Sequence, residues 1–478
     1  MGAQQSEGVS DINSSRRGSG CRSRLWLVAA LAAWLALGAA AAGQARVPGD
    51  LNDDGAVDAA DRLLMRHLLA ENIGLSDVVA ANADVNEDGV FRGVDGAWLL
   101  LLDPPYRGGL IDIQPAETLS RSQATFLLNV YGMSQLAPAQ YDTDRYVVQY
   151  RTVSPWGGVV PASGLLALPR GRTGALPWVS LQHGTQTRRI DTPSNLDSVD
   201  GLGTAIIYPA SGGYAAVAAD YLGFGTGPGR HPYVHADTEA SAALDLMRAA
   251  RSVAGSYGVT LTGPLFLAGY SQGGHATMAL HRELERRFGD EYPVTASAPM
   301  AGPYDLSETT LDYMLDGAPE DSVMTTYLAF GLYAYHLVYG IGPTLADIFQ
   351  PPYAAMMDDF FDGTHSFAEI AAVLPPRYSD LLQPALVEAL NADPNHPYRL
   401  AMRLNDVYDW LPAAPLRMYH SAADTVVPIA NAEVALARMT ALGADVDLVV
   451  VSQTLGHGDA AVPCLIQSRL WFDEFVNR

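Results

Sequence analysis

The feature that most constrains the fold is a glycine-rich turn, GYSQGG at 269–274, between two contrasting segments. The preceding run, Pro264 to Ala268, suits one buried strand, and the following run, His275 to Phe288, has helical composition. A G-x-S-x-G sequence between a strand and a helix is typical of a nucleophile elbow, whose sharp turn strains the serine backbone. Both flanking positions must be glycine so that strand and helix can pass closely. We therefore expect Ser271 at the carboxyl edge of a sheet.

Short apolar segments alternate with helical ones after about residue 145, which favours an α/β fold with a parallel sheet. Tyr146 to Val148 and Gly164 to Leu168 predict an early antiparallel pair. The segments typical of buried parallel strands are Trp178 to Leu181, Ala216 to Ala219, Leu265 to Ala268, Leu416 to Tyr419 and Leu448 to Val451. The predicted helices between them include Thr238 to Val253 and Ile429 to Leu442.

One stretch, Leu306 to about Leu411, interrupts this alternation with helix-like pieces and many aromatic residues. Because it falls between two predicted sheet strands, we expect it to form a helical cap over the strand ends. Its apolar side chains have two interpretations. They form the core of the cap itself, or they also line an acyl pocket above Ser271.

A serine hydroxyl becomes a useful nucleophile only when a base takes its proton and a third group orients that base. When the nucleophile follows one strand and its partners lie on loops after later strands, the chain order must be Ser, Asp, His. Asp424 and His457 follow the last two predicted strands, so we expect both at the same sheet edge as Ser271. Asp459 and Asp409 are the rival acids. His457 has glycine on both sides, and we expect it in a short loop before the last helix.

A developing oxyanion needs two backbone N–H donors near the nucleophile. The N–H of Gln272 is one candidate, because it lies at the predicted start of a helix. The second candidate is the N–H of Thr185, in the loop QHGTQ at 182–186 that follows a predicted strand. His183 in that loop is expected to support it. The other histidines near the motifs, His275, His281 and His420, are expected to be structural.

From about residue 140 to the C-terminus the chain resembles the α/β-hydrolase superfamily, and it looks closest to secreted lipase-like and carboxylesterase members with a helical cap. The matching segments are QHGT at 182–185, ADYLG at 219–223, GYSQGG at 269–274, DTVVP at 424–428 and GHG at 456–458. The resemblance implies Ser271 as nucleophile, His457 as general base and then acid, and Asp424 as its orienting group. It implies no cofactor for catalysis. It does not fix the ester, because the cap is the variable part.

An acidic segment at 46–107 contains two copies of a loop pattern typical of calcium sites. Both copies place oxygen-bearing side chains at loop positions 1, 3, 5 and 12 and glycine at position 6. Hard oxygen ligands in that number suit Ca²⁺ better than Zn²⁺. The expected ligands are Asp50, Asn52, Asp54, Ala56, Asp58 and Asp61 in the first loop, and Asp84, Asn86, Asp88, Val90 and Asp95 in the second.

The two loops begin 84 − 50 = 34 residues apart, and each precedes a helix-like stretch, so the segment resembles the dockerin family. That resemblance implies two paired loop-helix halves, two bound Ca²⁺ ions and a cohesin protein as partner. The second loop departs from the pattern because its position 9 is Arg92, where the first loop has Asp58. Positions 10 and 11 lack the Ser-Thr pair that cohesin-binding members often carry. A calcium-rigidified spacer is the alternative.

The first 45 residues are typical of a secretory signal, since four arginines precede an apolar run from Leu25 to Ala42. Cleavage after Ala42 or Ala45 fits a secreted protein, and an uncleaved anchor at the cell surface is the alternative. Of the two cysteines, Cys21 lies within this signal. The mature chain would keep only Cys464, so we expect no disulfide framework.

The length of 478 residues suggests two or three domains, and a hydrophobic content of 49% with 17% charged residues suits a globular protein. The net charge of −23 argues against nucleic acid or an anionic membrane as the main partner. The predicted order is a signal at 1–45, a dockerin-like domain at 46–107, a linker and leading strand at 108–144, and an α/β-hydrolase domain at 145–478 with its cap at about 306–411.

These features predict a secreted serine esterase or lipase that works through an acyl-enzyme. One alternative is an esterase for acetyl or feruloyl groups on carbohydrates, because dockerin-like modules often accompany enzymes of polysaccharide breakdown. A second is a serine peptidase with the same triad. A third is a non-catalytic, calcium-dependent scaffold or adhesion component.

Overall fold

The computed structural model describes residues 107–476, together with Leu51 and Ala83. The predicted signal, both calcium loops and most of the dockerin-like segment lie outside the described residues. The strands are β1 (Leu110–Pro115), β2 (Thr143–Val153), β3 (Val159–Pro169), β4 (Gly174–Ala175), β5 (Trp178–Gln182), β6 (Ala215–Ala219), β7 (Val259–Thr260), β8 (Leu265–Tyr270), β9 (Val294–Met300), β10 (Leu416–Ser421) and β11 (Val446–Ser452).

The α-helices are α1 (Arg121–Val130), α2 (Val199–Ala205), α3 (Ala236–Ala254), α4 (Gln272–Arg287), α5 (Ser322–Tyr339), α6 (Met357–Phe360), α7 (Phe367–Ala371), α8 (Tyr378–Leu381), α9 (Pro384–Ala392), α10 (Pro397–Leu404), α11 (Ala430–Leu442) and α12 (His457–Val476). Shorter 3₁₀ and π turns connect them, including Ile206–Ala210, Leu306–Thr310 and Tyr313–Gly317. Within residues 107–476, no helix is both long and apolar enough to cross a membrane.

Nine of the described strands form one mixed sheet in the order β1-β2-β3-β6-β5-β8-β9-β10-β11. Strands β1, β2 and β3 pair antiparallel, and β3 pairs antiparallel with β6. From β6 to β11 every neighbouring pair is parallel. The parallel strands are predominantly apolar because helices cover both faces of the sheet. The carboxyl ends of β5, β8, β10 and β11 therefore meet at one edge.

Two apolar cores cover the two faces of the sheet. Helices α3, α4 and α11 pack on one face through small and aliphatic side chains, which in α3 include Leu244, Leu246 and Met247. On the other face α1, the 206–210 turn and α12 contribute Ile206, Tyr208 and Phe472. Burial of this apolar surface is the main stabilising term of such a layered fold. Both layers hold the sheet edge that carries the candidate site.

Residues 108–144, predicted as a linker and leading strand, belong instead to the sheet domain. Strand β1 pairs along β2, and Ala124 and Leu128 of α1 are fully buried against the second core. Ser120 begins α1 with a capping box to Gln123, a local signal of a stable helix. Apolar and polar residues are interspersed in this segment, so its sequence looks like that of a polar linker. One face of the segment nevertheless packs into the second core.

The stretch from residue 306 to 411 forms a helical cap, as expected from its place between two sheet strands. It contains α5 to α10 and the two π turns, and its aromatic residues form a third core. Phe330 stacks on Phe361 at 4.5 Å between ring centres, and both are buried. Much of the aromatic excess is therefore the cap's own interior.

Candidate active site

The turn between β8 and α4 has the geometry of a nucleophile elbow. Ser271 has φ 62° and ψ −122°, a conformation that non-glycine residues rarely adopt. A methyl group on Gly269 would lie 2.3 Å from the carbonyl oxygen of Gly273, and one on Gly273 would lie 2.1 Å from that of Gln182. Neither position tolerates a side chain, because strand and helix pass too closely. Helix α4 begins at Gln272, which the sequence placed at the start of a helix, and Ser271 itself is the N-cap position.

The two predicted partners of Ser271 lie beside it in the structure. His457 Nε2 is 2.8 Å from Ser271 Oγ, and His457 Nδ1 is 2.6 Å from Asp424 Oδ2. With Nδ1–H donating to the carboxylate, the neutral imidazole presents a lone pair at Nε2 to the serine hydroxyl. The hydroxyl of Tyr270 also donates to the carbonyl oxygen of His457 at 2.5 Å. The three side chains follow β8, β10 and β11 in the chain.

The prediction that His457 lies in a loop before the last helix was wrong. His457 is the first residue of α12, directly after Gly456. Ala460 N–H donates to Gly456 O, so the first helical turn is already closed around this residue. The backbone of His457 is therefore fixed by the helix, and its side chain projects from the helix end toward the serine.

Asp424 has an environment that favours its charged form. Its Oδ1 accepts hydrogen bonds from the N–H groups of Val426 and Val427, both at 2.9 Å. Burial alone would raise the pKa of this carboxyl, but hydrogen bonds from His420 and His457 and the backbone N–H of Val427 hold it well below its usual range. Asp424 therefore stays ionised and can stabilise a cationic His457.

The two residues predicted to supply oxyanion donors belong to chain segments next to the serine. Gln272 is the first residue of α4, where its N–H has no acceptor within the helix. A methyl group on Gly184 would lie 3.9 Å from Ser271 Cβ, so the loop after β5 runs next to the nucleophile. The Thr185 hydroxyl is 2.9 Å from the Tyr233 hydroxyl. Within residues 107–476 the backbone N–H of Thr185 donates to no backbone carbonyl.

The histidines expected to be structural make contacts of that kind. His183 Nε2 is 3.2 Å from the carbonyl oxygen of Asp220, and His420 Nε2 donates to that of Val427. His281 is 2.9 Å from Glu285 on the far side of α4. Neither rival acid takes the place of Asp424 at His457 Nδ1: Asp409 pairs with Arg438 on the surface, and Asp459 is exposed in the first turn of α12.

An apolar cavity of about 50 Å³ lies between the serine and the cap. Ser271 and Gln272 form its floor, and cap side chains such as Leu311, Tyr327 and Leu328 form its roof. Its lining residues are Tyr233, Val234, Ser271, Gln272, Pro303, Leu306, Thr310, Leu311, Met314, Tyr327, Leu328, Gly331, Tyr335, Met402, Val426 and Val427. Some of the cap aromatic residues line this cavity, and others fill the cap core.

A larger cleft of about 550 Å³ lies elsewhere, between α3, α4 and the base of the cap. It is polar, with Arg282, Glu283, Arg403 and Asp406 in its wall. Neither Ser271 nor either of its partners lines it, so size alone is a poor guide to the site here. Within residues 107–476 no cluster of three or more His, Cys, Asp or Glu residues is arranged to hold a metal ion.

Sequence reasoning missed a group of buried polar residues behind the elbow. Gln272 Nε2 donates to Glu239 Oε1 and lies 2.8 Å from His231 Nε2, and His275 Nδ1 lies 2.7 Å from Glu239 Oε2. All four side chains are nearly inaccessible to solvent. The only local signal was the glutamine after the serine, because its partners lie 33 and 41 residues away.

Comparisons with known proteins agree with this fold. The family model of the secretory lipases matches residues 194–285, and that of the dockerin type I domain matches residues 48–100. The ligand-bound rice cell wall degrading esterase LipA of Xanthomonas oryzae is 30% identical over 77% of this chain and 100% of its own, with a TM-score of 0.71. The chain belongs to the secretory lipase family. It is a carboxylic ester hydrolase of the serine type.

Two further structures place this secretory lipase among α/β-hydrolases. A hydrolase from Legionella pneumophila is 30% identical over 77% of this chain and 98% of its own, with a TM-score of 0.72. Candida antarctica lipase A in its closed state is 16% identical over 74% of this chain and 81% of its own, with a TM-score of 0.55, so this likeness concerns the fold alone. No curated protein sequence matches the chain. The α/β-hydrolase and dockerin-like predictions are confirmed.

Proposed function

We propose that Ser271, His457 and Asp424 form the catalytic triad of this ester hydrolase. Ser271 Oγ attacks the carbonyl carbon while its proton passes to His457 Nε2. Asp424 accepts the Nδ1–H bond throughout and stabilises the imidazolium that forms. Collapse of the tetrahedral intermediate breaks the carbon–oxygen bond to the alcohol, which leaves with the proton from His457. A water molecule activated by His457 then releases the acid from the acyl-enzyme. The 2.8 Å and 2.6 Å contacts are the observation that carries this proposal.

The N–H groups of Gln272 and Thr185 stabilise the oxyanion in this proposal. The Gln272 N–H lies at the N-terminus of the 16-residue helix α4, where the helix dipole also favours negative charge. The Thr185 N–H belongs to the loop after β5, in which the preceding residue, Gly184, lies next to Ser271. Loss of one such donor typically lowers kcat by about 10²–10³-fold.

The cap cavity takes the acyl part of the ester in this proposal. Its walls are apolar, apart from a few hydroxyl groups, and it reaches Ser271 directly. A volume of about 50 Å³ suits a short acyl chain better than a long one while the cap is in this position. We therefore expect faster hydrolysis of acetyl and butyryl esters than of octanoyl to palmitoyl esters.

Hydrolysis of p-nitrophenyl esters of increasing chain length tests both parts of the proposal. Ser271→Ala should lower kcat by at least about 10⁴-fold, and it should abolish labelling by a fluorophosphonate. Ser297→Ala is the matched control, since this buried serine on β9 has a hydroxyl without a hydrogen-bond partner in the described residues. Equal activity of Ser271→Ala and wild type would overturn the triad. A maximum at long chains would overturn the short-chain assignment alone.

A carbohydrate ester is the second candidate substrate. The dockerin type I match at 48–100 supports it, and so does the relative from Xanthomonas oryzae, which is described as a rice cell wall degrading esterase. Acetate release from acetylated xylan, compared with hydrolysis of tributyrin, separates the two candidates. A higher kcat/KM on xylan would favour the carbohydrate ester and a role in polysaccharide breakdown.

We also propose that residues 46–107 bind Ca²⁺ and that the chain acts outside the cytoplasm after removal of residues 1–45. The dockerin match and the two acidic loops support calcium binding, and a cohesin protein would be the partner. For the localisation, the alternative to cleavage is that residues 1–45 remain as a membrane anchor at the cell surface. Calorimetric titration of the full chain with Ca²⁺ should show one strong and one weaker site, because Arg92 replaces an oxygen ligand. Absence of binding would overturn the calcium assignment.

A further inference from the structure

The loop between β6 and α3 contacts both candidate oxyanion donors. In its last part, which we name the 231–235 segment, the Tyr233 hydroxyl is 2.9 Å from Thr185 Oγ1. Two residues earlier, His231 Nε2 is 2.8 Å from Gln272 Nε2. Thr185 and Gln272 are 87 residues apart in sequence, and one short segment holds the side chains of both.

The contact between His231 and Gln272 has a defined polarity. His231 Nδ1 lies 2.9 Å from the carbonyl oxygen of Leu222, so Nδ1 carries the proton and Nε2 accepts from the Gln272 amide. Burial lowers the pKa of His231 to about 3, which keeps the ring neutral in this tautomer. The ring also stacks on Phe224 with 4.4 Å between centres. Its orientation is thus fixed from two sides.

A buried contact between His275 and Glu239 completes the support of Gln272. His275 directs Nδ1 at Glu239 Oε2 and Nε2 at the carbonyl oxygen of Asn405, at 2.7 and 2.8 Å. The His275 ring is thus held between two oxygen atoms on opposite sides, and it fixes the position of the Glu239 carboxyl group. Glu239 Oε1 accepts from the Gln272 amide. The side chain of Gln272 therefore donates to two fixed acceptors, which restrains its backbone as well.

The 231–235 segment is itself held in a strained conformation. Val234 has φ 48°, which is rare for a β-branched residue. Its carbonyl oxygen accepts from the Tyr335 hydroxyl at 3.0 Å, and the Tyr233 ring stacks on Phe330 of α5 at 4.4 Å with 3° between planes. Backbone strain of this kind persists only where the surroundings over-determine it, and it concentrates at functional sites.

We propose that the 231–235 segment positions the oxyanion hole, with Tyr233 orienting Thr185 and His231 orienting Gln272. This inference rests on the proposed roles of Ser271 and of the two N–H donors. Both residues act through another residue, so they are positioning residues. Because the oxyanion exists only in the transition state and the tetrahedral intermediate, loss of alignment lowers kcat and leaves KM nearly unchanged.

Tyr233→Phe and Thr185→Val test this from the two ends of one hydrogen bond. Each variant removes a hydroxyl and keeps the backbone N–H of residue 185, and the Phe ring can keep the stack on Phe330. On p-nitrophenyl butyrate we expect each to lower kcat by about tenfold with KM within about twofold. A trifluoromethyl ketone, which forms an oxyanion adduct with a serine, should lose a similar factor in affinity. The double variant should lose little more than either single one.

The matched control is Tyr150→Phe, which removes a buried hydroxyl that donates to the carbonyl oxygen of Ala242, away from the cavity. Its kcat should stay within about twofold of wild type. The inference fails if Tyr233→Phe behaves like this control, or if the losses of the two single variants simply multiply. If Tyr233→Phe does not fold, Thr185→Val decides by its kcat and ketone affinity. A wild type that neither hydrolyses esters nor reacts with a fluorophosphonate would instead overturn the proposed function, and this inference with it.

Discussion

The sheet edge that holds the candidate triad and the neck of the cap each contain one aspartate that accepts backbone hydrogen bonds, and the pKa values of the two carboxyl groups are shifted in opposite directions. Asp424 is buried, and Asp406 is half-buried. The neck comprises residues 305–307 and 405–407, where the chain enters and leaves the cap. Asp406 accepts hydrogen bonds from the N–H groups of Leu306 and Ser307, much as Asp424 accepts from two N–H groups of its own loop. The backbone support of the two carboxylates is therefore nearly the same.

Their remaining neighbours differ, and these decide the charge. Asp424 lies against two imidazole rings, and its pKa falls well below the usual range. Asp406 has the Ser307 hydroxyl at 2.6 Å and the like charge of Asp305 nearby. Burial, the largest cause, and Asp305 raise the pKa of Asp406 to about 7 although hydrogen bonds oppose them. Backbone hydrogen bonds alone do not keep a buried carboxylate ionised. The other neighbours of the carboxyl group decide its charge: two imidazole rings at Asp424, and a hydroxyl and a second carboxylate at Asp406.

Among the variants that test this comparison, the largest effect is expected from Asp424→Asn. An amide can face His457 Nδ1 with either its oxygen or its NH₂ group, and it cannot stabilise an imidazolium, so kcat should fall by about 10³–10⁴-fold. Circular dichroism should show a folded protein, because Asn can still accept from Val426 and Val427. A loss below about tenfold in p-nitrophenyl butyrate hydrolysis would mean that another acid orients His457.

A smaller, pH-dependent effect is expected from Asp406→Asn. The pKa of Asp406 is raised on folding, so its contribution to stability is full below about pH 4 and is lost as the pH rises through about 7. In urea unfolding between about pH 5 and 9, wild type should lose about 1–2 kcal/mol more than the variant, after allowance for partial exposure. Parallel curves for both proteins would contradict the raised pKa.

Asp424 should give the opposite dependence in the same measurement. Its folded-state pKa is lowered, so its contribution is present above the ordinary carboxyl pKa and is lost as the pH falls below about 4. Between about pH 5 and 3, Asp424→Asn should therefore unfold with a flatter pH dependence than wild type, while Asp406→Asn should follow wild type more closely. Reversal of this order would break the comparison between the two regions.

The smallest effects are expected from the two rival acids. Asp409 forms a surface ion pair with Arg438 in which both side chains are about half exposed, and such pairs contribute about 0–1 kcal/mol. Asp459 is exposed in the first turn of α12. Asp409→Asn and Asp459→Asn should keep kcat within about twofold of wild type. A loss above about 100-fold in either would reopen the choice of the acid.

Local sequence patterns determined a large part of this protein. The elbow was readable because its strand, glycines and helix are contiguous, so close approach at Gly269 and Gly273 follows from the segment alone. The order of Ser271, Asp424 and His457 was readable because each follows a recognisable apolar strand. The dockerin segment was readable because its ligand spacing repeats.

Contacts between distant loops were decided only by the tertiary structure. The pairing of Tyr233 with Thr185 and of His231 with Gln272 depends on how a long loop packs over the sheet edge, and no spacing in the chain records it. The same holds for the neck, where Asp406 meets residues about 100 positions earlier. The tertiary structure also decided that α12 begins at His457 and that residues 108–144 pack on the sheet. Both segments contribute side chains to the second apolar core, which neighbouring elements complete. The amino-acid sequence specifies which reactive side chains are present. Packing determines the charge and tautomer of each side chain and the shape of the pocket around it.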